Sequence, residues 1–298
     1  MTPITLENLI EWTKKDFLKL LIISIVFAII SVVYALSIPN VYSSKSVVMS
    51  NLSESSGIGA SLGQFSGIAS LAGINLPSGG TSPEVLKEML LSNSFLASFI
   101  RQNELELLLM AAIDYTPSTG DYVYNEKLYD FKQKKWTREV GYPLKVSPSD
   151  SELVHKFRKL FSASYDRKTK LITLSFKFYS AEFTKILLED LITFFNDYMR
   201  KIDLIDAEEN LNDLQKELEK VQLTEIKVSL QQIIEEQLKK STFAKTRDQY
   251  AIRIVEAPQV AMSKSEPRRS LICVVITTFG VIFSALLLWT RRAIKSNV

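Results

Sequence analysis

Two uncharged runs, one near each end of the chain, constrain the fold more than any other feature. Leu20–Ile38 reads LLIISIVFAIISVVYALSI and Ser270–Thr290 reads SLICVVITTFGVIFSALLLWT. Crossing a hydrocarbon core takes about 20 apolar residues at a rise of about 1.5 Å each, and both runs reach that length. A secretory signal is a poor account of the first. Its uncharged stretch exceeds the roughly 7–15 residues of such a segment, and LSIPNVYSS behind it lacks a small-x-small cleavage pattern. The second is tightly bracketed by basic residues, Arg268 and Arg269 before it and Arg291 and Arg292 after it, which suits a span better than a buried soluble helix.

The flanking charges give an orientation. Lys14, Lys15 and Lys19 precede the first run and only Lys45 follows soon after, while Arg291, Arg292 and Lys295 follow the second. Basic loops stay in the cytoplasm, so both termini are expected there, with residues 39–269 outside. Lys264, Arg268 and Arg269 run against that bias, although two spans must in any case return the chain to its starting side. The chain carries 36 Lys and Arg against 33 Asp and Glu, a net charge of +3. The three C-terminal cations account for that excess, which leaves the outer region near neutral and argues against nucleic acid as a partner. The lone cysteine, Cys273, lies in the second run and has no intrachain partner for a disulfide. The lone histidine, His155, has no cysteine or second histidine with which to hold a metal and reads as a structural or surface residue.

Between the runs the chain alternates element types. VYSSKSVVMS reads as a strand, and TSPEVLKEMLLSNSFLASFI opens a helix with Ser82 as cap, Pro83 first and Glu84 in the first turn, with a second start at Ser92 or Ser94. Tyr115–Ser149 reads as loop-rich and aromatic, with Pro117, Gly120, Gly141, Pro143 and Pro148 breaking any long element. A helix is expected over Ser151–Ser162. In LITLSFKF, Ile172, Leu174, Phe176 and Phe178 share one face of a strand preceded by a DRKTK turn, and AIRIVEAP supplies a later strand. That strand and the first one each lead to a span, and pairing them in one sheet is the economical arrangement.

From Ser180 to Val221 there is no proline or glycine. Leu204, Leu211 and Leu218 recur every seven residues, with Ala207, Leu214 and Val221 interleaved, and the phase restarts at Leu223 and Ile226. The spacing predicts a long helical arm, a turn near 222–224 with Thr224 as the new cap, and a shorter returning helix. The apolar stripe on the arm needs a cover, either that returning helix or the same arm of another subunit.

The signatures of P-loop, zinc-protease and dithiol chemistry are missing from the sequence: there is no G-x-x-x-x-G-K-[ST], no H-E-x-x-H and no C-x-x-C. The arm carboxylates alternate with lysines in the manner of a solvated face. Neither a catalytic residue, a cofactor site nor a metal site is expected. The aromatic residues Tyr122, Tyr124, Tyr129, Phe131, Trp136 and Tyr142 either stack on sugar rings or fasten a loop to the core. Ser55–Gly80 holds seven of the ten glycines and no charge. Gly57, Gly59 and Gly63 are one residue out of register with a dinucleotide fingerprint. Gly59, Gly63 and Gly67, at i, i+4 and i+8, would instead make one smooth helix ridge. A loop, or a short helix at a subunit boundary, is favoured over a membrane-inserting segment.

Taken together, the chain resembles the chain-length determinant (Wzz) family of polysaccharide co-polymerases. The resemblance rests on the two spans and on FSGIASLAGI followed by TSPEVLKEMLLSNSFLASFI. It extends to YNEKLYDFKQKKWTREV, IIEEQLKKSTFAKTRDQYAIRIVEAPQVA and the lead-in EAPQVAMSKSEPRRSL. The family's proline-rich lead-in is thinner here, with Pro258 and Pro267. The resemblance implies an α+β fold in which two transmembrane helices flank a periplasmic mixed α/β base with a long extended helical arm. Its expected divisions are a cytoplasmic tail 1–19, a span 20–38, a base 39–179, the arm 180–250, a last strand and lead-in 251–269, a span 270–290 and a tail 291–298. It implies an inner-membrane homo-oligomer forming a bell-shaped chamber. That oligomer would set the modal length of O-antigen made by a Wzy-type polymerase on a lipid-linked glycan, without catalysis of its own. A capsule or exopolysaccharide role coupled to an exporter or a separate tyrosine kinase is the alternative. Expected contacts with a second copy or the polymerase fall at Gly59, Gly63, Gly67, Leu204, Leu211, Leu214, Leu218, Pro258, Pro267, Arg268, Arg269 and Gly280.

Overall fold

The structure, a computed structural model, describes residues 16–52 and 82–296. The chain divides into two compact units, one made of Met1–Tyr42 with Ser263–Val298 and the other of Ser43–Met262.

In the first unit, helix α1 spans Phe17–Ser37 and helix α8 spans Arg269–Ser296. Both are long and apolar enough to cross a membrane. Each exceeds its expected span. Helix α1 begins within the polar residues, where the Lys19 ammonium reaches Asp16 at 3.0 Å, and it stops one residue short of Ile38, which is extended. Helix α8 continues through Arg291 into the expected tail, because a backbone hydrogen-bond ladder does not end where hydrophobicity does. The two helices pack against each other. Their half-buried and buried faces carry small residues, Ser24, Ala28, Ser31 and Ala35 on α1 and Cys273, Thr277, Gly280 and Ser284 on α8, which lets the backbones approach closely.

The second unit is a four-stranded sheet with helices packed on it. Strand β1 is Tyr42–Ser50. Helix α2 (Pro83–Leu90) is capped by Ser82, and α3 (Asn93–Gln102) by Ser92. A short α4 (Glu106–Ala111) leads into the hairpin of β2 (Ala112–Thr116) and β3 (Asp121–Tyr124), then the two-residue strands β4 (Tyr129–Asp130) and β5 (Lys135–Trp136). These short strands fall in and just before the loop-rich stretch Tyr115–Ser149, where no long element forms. Gly120, at φ +77°, takes the left-handed position that lets the β2–β3 turn close. Helix α5 is Asp150–Leu160 rather than Ser151–Ser162, because Phe161–Asp166 leaves it as strand β6 and pairs with β7 (Leu171–Phe178) across the DRKTK turn. The sheet order is β6-β7-β1-β8, where β8 is Ile252–Glu256 and runs antiparallel to β1. The strand that follows one span in the chain thus pairs with the strand that precedes the other.

The arm is α6 (Ala181–Lys220), 40 residues capped by Ser180, and the return is α7 (Thr224–Thr246). Leu223 stands at the cap position of α7 with no side-chain hydrogen bond, and Thr224 is already helical, so the expected Thr224 cap is not formed. The root of α6 packs on the sheet through Leu187, Leu188, Leu191, Ile192, Phe195 and Met199. Aromatic rings carry the core from arm to sheet. Phe195 meets Phe95 edge-on at 5.1 Å, Phe99 lies 5.9 Å from Phe157, and Phe157 lies 5.4 Å from Phe176. Burying each such ring contributes about 1.5–3 kcal/mol.

The start of α5 is locked by a buried ion pair. Arg138 grips Glu152 with two nitrogens at 2.6 and 3.0 Å and donates to the carbonyl oxygens of Val146 at 2.7 Å and Lys145 at 2.5 Å. Ser149 and Glu152 complete a capping box. The Arg138 hydrogen bonds push the Glu152 carboxyl down to about 2 against the opposing effect of burial, and Ser149 adds to the lowering. A carboxyl whose folded pKa is depressed stabilises the fold fully above its ordinary value of 4.5 and loses that contribution as pH falls towards about 2. Thermal midpoints of the detergent-solubilised protein should therefore fall across that window. Glu152→Gln should start lower at neutral pH and converge with wild type at acid pH; parallel curves would show that the pair does not couple to folding.

Candidate functional site

Three places gather the residues singled out in the sequence. The first is the arm. Leu204 packs on the main core, Ala207 and Leu214 are buried, and Leu211 and Leu218 are half-buried. Leu214 joins Leu230 and Ile233 of α7 in a separate small cluster, flanked by Leu218, Val221, Ile226 and Ile234. The returning helix therefore covers the stripe within one chain. Ile205, Val228 and Leu238 remain exposed on the pair.

At the root of the arm, α6 captures the descending chain with polar side chains. The N–H groups of Ala251 and Ile252 donate to Asn196 Oδ1 at 2.8 and 2.9 Å, and Asn196 Nδ2 donates to the Ile252 carbonyl at 3.1 Å. One turn on, Arg200 donates to the carbonyls of Arg247 and Asp248 at 2.7 and 2.8 Å. The next turn offers Asp203, which accepts from the Tyr250 hydroxyl at 2.7 Å. Burial, and then Asp203, push the Tyr250 phenol up. Positions i, i+4 and i+7 share a helix face, which is why three residues reach one segment. Sequence reading missed Asn196 because it interrupts an apolar stripe; that interruption was the available signal.

The second place is the lead-in to α8. Val41 N–H donates to the Glu266 carbonyl at 2.9 Å, and the Val41 carbonyl accepts from Ser265 N–H at 2.8 Å. Arg269 Nε donates to the Ala35 carbonyl at 3.1 Å and its Nη2 to Asn40 Oδ1 at 3.2 Å. Ala35 lies in the last turn of α1, whose carbonyls have no intrahelical partner, so Arg269 caps that helix and places a cation at its negative end. Pro258 is buried in the other unit, Pro267 is half-buried and Arg268 is exposed. At Gly280 an added Cβ would stand 2.4–2.8 Å from ring carbons of Phe27. The close approach at that glycine is made by the chain's own first span.

The third place is the aromatic cluster, in which Tyr122 and Tyr124 touch at 6.3 Å and join core to tier while Tyr142 stands apart. Tyr122 packs on Phe178 at 5.7 Å and Phe183 at 5.9 Å, as a loop fastened to the core. Tyr124, Phe131, Tyr129 and Trp136 form a continuous tier with centroids 5.1–5.2 Å apart. Tyr142 is fully exposed. The tier borders a groove of about 780 Å³ lined by Glu126, Lys127, Tyr129, Phe131, Lys132 and Glu139 among others. Among the described residues no group of His, Cys, Asp and Glu is arranged to hold a metal, and His155 is exposed. Gly59, Gly63 and Gly67 lie outside the described residues.

Comparison with known proteins bears on the N-terminal third. Residues 2–103 match the chain length determinant proteins, Wzz. The Wzz match takes in α1, β1, α2 and α3. No curated protein matches the sequence. Among solved structures, the chain is similar to a full-length bacterial polysaccharide co-polymerase, at 11% identity over 98% of this chain and 99% of that one, TM-score 0.41. It is also similar to a fragment of WzzB, a polysaccharide co-polymerase from Salmonella Typhimurium, at 12% identity over 76% and 100%, TM-score 0.33. A third is the periplasmic domain of a chimeric lipopolysaccharide O-antigen chain length regulator, at 11% identity over 76% and 100%, TM-score 0.31.

Two substitutions test this geometry. Asn196→Ala leaves two N–H groups and a carbonyl without their partner, and should lower the thermal midpoint by roughly 5–10 °C; an unchanged midpoint would mean the clamp adds nothing. Gly280→Leu should destabilise the protein in detergent, and adding Phe27→Ala should restore part of the loss. Additive effects of the two changes would show that the residues do not meet.

Proposed function

We propose that this protein is a non-enzymatic, two-pass inner-membrane regulator that sets the modal chain length of O-antigen made by a Wzy-type polymerase. It acts as a homo-oligomeric scaffold beside the polymerase and the growing lipid-linked glycan. The Wzz match over residues 2–103 is the observation that carries this reading. Two helices long and apolar enough to cross a membrane support it, and so do the basic flanks, which favour cytoplasmic tails at 1–19 and 291–298 with residues 39–269 periplasmic. The sequence carries no P-loop, H-E-x-x-H or C-x-x-C signature, in keeping with a role exerted through contact. We assign contact with a second copy to the exposed faces of the arm, and contact with the polymerase to the lead-in at Pro267 and Arg268.

The test is a gel of lipopolysaccharide from the source strain with the gene present, deleted and restored. The expected result is a modal cluster of bands that disappears on deletion and returns on complementation. An unchanged ladder, with altered length of capsule or exopolysaccharide, would overturn the O-antigen assignment and move the role to that product.

A further inference from the structure

The groove at the β4–β5 hairpin plays no part in the reading above. Its frame is fixed by the backbone. Asn125 Oδ1 accepts from Lys127 N–H at 3.1 Å, Asp130 Oδ1 accepts from the N–H groups of Lys132 and Gln133 at 2.8 and 3.1 Å, and Thr137 N–H donates to the Leu128 carbonyl at 3.0 Å. The turns are therefore held without help from a ligand. Trp136 lies edge-on to Tyr129 at 5.2 Å, and Tyr129 edge-on to Phe131 at 5.1 Å. This packing leaves the Phe131 ring 45% exposed in the groove.

Four of the other lining groups are charged and unspent. The side chains of Glu126, Glu139, Lys127 and Lys132 make no ion pair or hydrogen bond within the described residues. With Asp130, which also lines the groove, three carboxylates stand against two ammonium groups, an excess of one that disfavours a polyanion and is too small to hold a polycation. Free donors and acceptors beside an exposed ring suit a flat, partly apolar ligand rich in hydroxyl groups. The volume of about 780 Å³ falls in the range of small-molecule sites, roughly 300–1,000 Å³. We propose that this groove binds a neutral sugar segment of the polysaccharide, with Phe131 stacking on a ring face and Glu126 and Glu139 accepting from its hydroxyls. The inference rests on the chain-length reading for its ligand, and on the groove for its chemistry.

The experiment uses the full-length protein in a detergent without a sugar headgroup, titrated with O-polysaccharide released by mild acid from lipopolysaccharide of the source strain. Phe131→Ala should bind about five-fold more weakly, as loss of one aromatic contact implies, and the pair Glu126→Gln with Glu139→Gln should also weaken binding. Tyr142→Ala, at an exposed ring that does not line the groove, should leave binding unchanged. Circular dichroism checks that each variant folds. Wild-type affinity in the Phe131 and Glu variants, or no binding by wild type, would overturn the proposal. The two readings fail separately. If deletion of the gene abolishes the modal cluster but Phe131→Ala binds normally, the groove is wrong and the regulator stands. If Phe131→Ala weakens binding while deletion leaves the ladder unchanged, the groove stands and O-antigen control falls.

Discussion

The buried amide of Asn196 fixes how the arm is attached to the sheet. A helix of 40 residues and its 23-residue return must deliver the chain back to an edge strand, β8, one side of which has no neighbouring strand among the described residues. Such an edge exposes N–H and carbonyl groups that cost about 1–3 kcal/mol each if buried without partners. Asn196 satisfies two of the donors and one acceptor at once, and Arg200 and Asp203 extend the grip over the preceding residues. The polar contacts also settle register. Leucines repeating every seven residues pack almost as well after a slip along the helix, whereas one amide facing Ala251 and Ile252 has a single position that satisfies it. The apolar seam supplies affinity between α6 and α7, and the polar face at the root decides where they stop.

What the sequence made legible follows from the range of each signal. The two long apolar helices, the arm and the cap at Ser82 are written in periodicity or in residues three apart, and the structure forms them; of the two starts left open it takes Ser92, and the Ser180 cap went unread. Strand β6 was hidden because Phe161, Ala163 and Tyr165 alternate with polar residues directly after a helix, so α5 seemed to absorb its start. The hairpins between Ala112 and Trp136 are too short for any period to register. The Arg138–Glu152 pair and the Asn196 clamp join residues 14 and more than 50 apart, and nothing local marks such partners. The aromatic cluster shows the limit most clearly. Its six residues are alike by type, yet Tyr122 belongs to the core, Phe131 to a groove and Tyr142 to solvent.

The basic residues before the second span gain a physical account. Arg269 still counts against the charge asymmetry of the spans, because its partners are neutral oxygens, but the structure gives it a local role. Its guanidinium is committed to the last turn of α1, where the Ala35 carbonyl would otherwise lack a partner as the chain leaves the helix. A cation there is favoured by the helix dipole, and Asn40 holds its second nitrogen. Lys264 and Arg268 are exposed charges without such a role.

The internal pairing of the spans also narrows what either can offer a partner. Gly280 is filled by Phe27, and Ser31, Ala35 and Ser284 are buried in the same seam. These small residues are spent on holding α1 against α8, so a neighbour in the bilayer must use other faces. On α8 those faces present Val274, Phe279, Ile282 and Phe283, all exposed and bulky. Large apolar side chains gain little from meeting each other in lipid, which solvates them equally well. A partner helix that recognises this protein in the membrane must therefore bring its own small residues or polar groups to fit between those side chains. The alternative is recognition at the exposed Arg268 beside the lead-in, where a charged side chain offers a directional contact that the apolar faces lack.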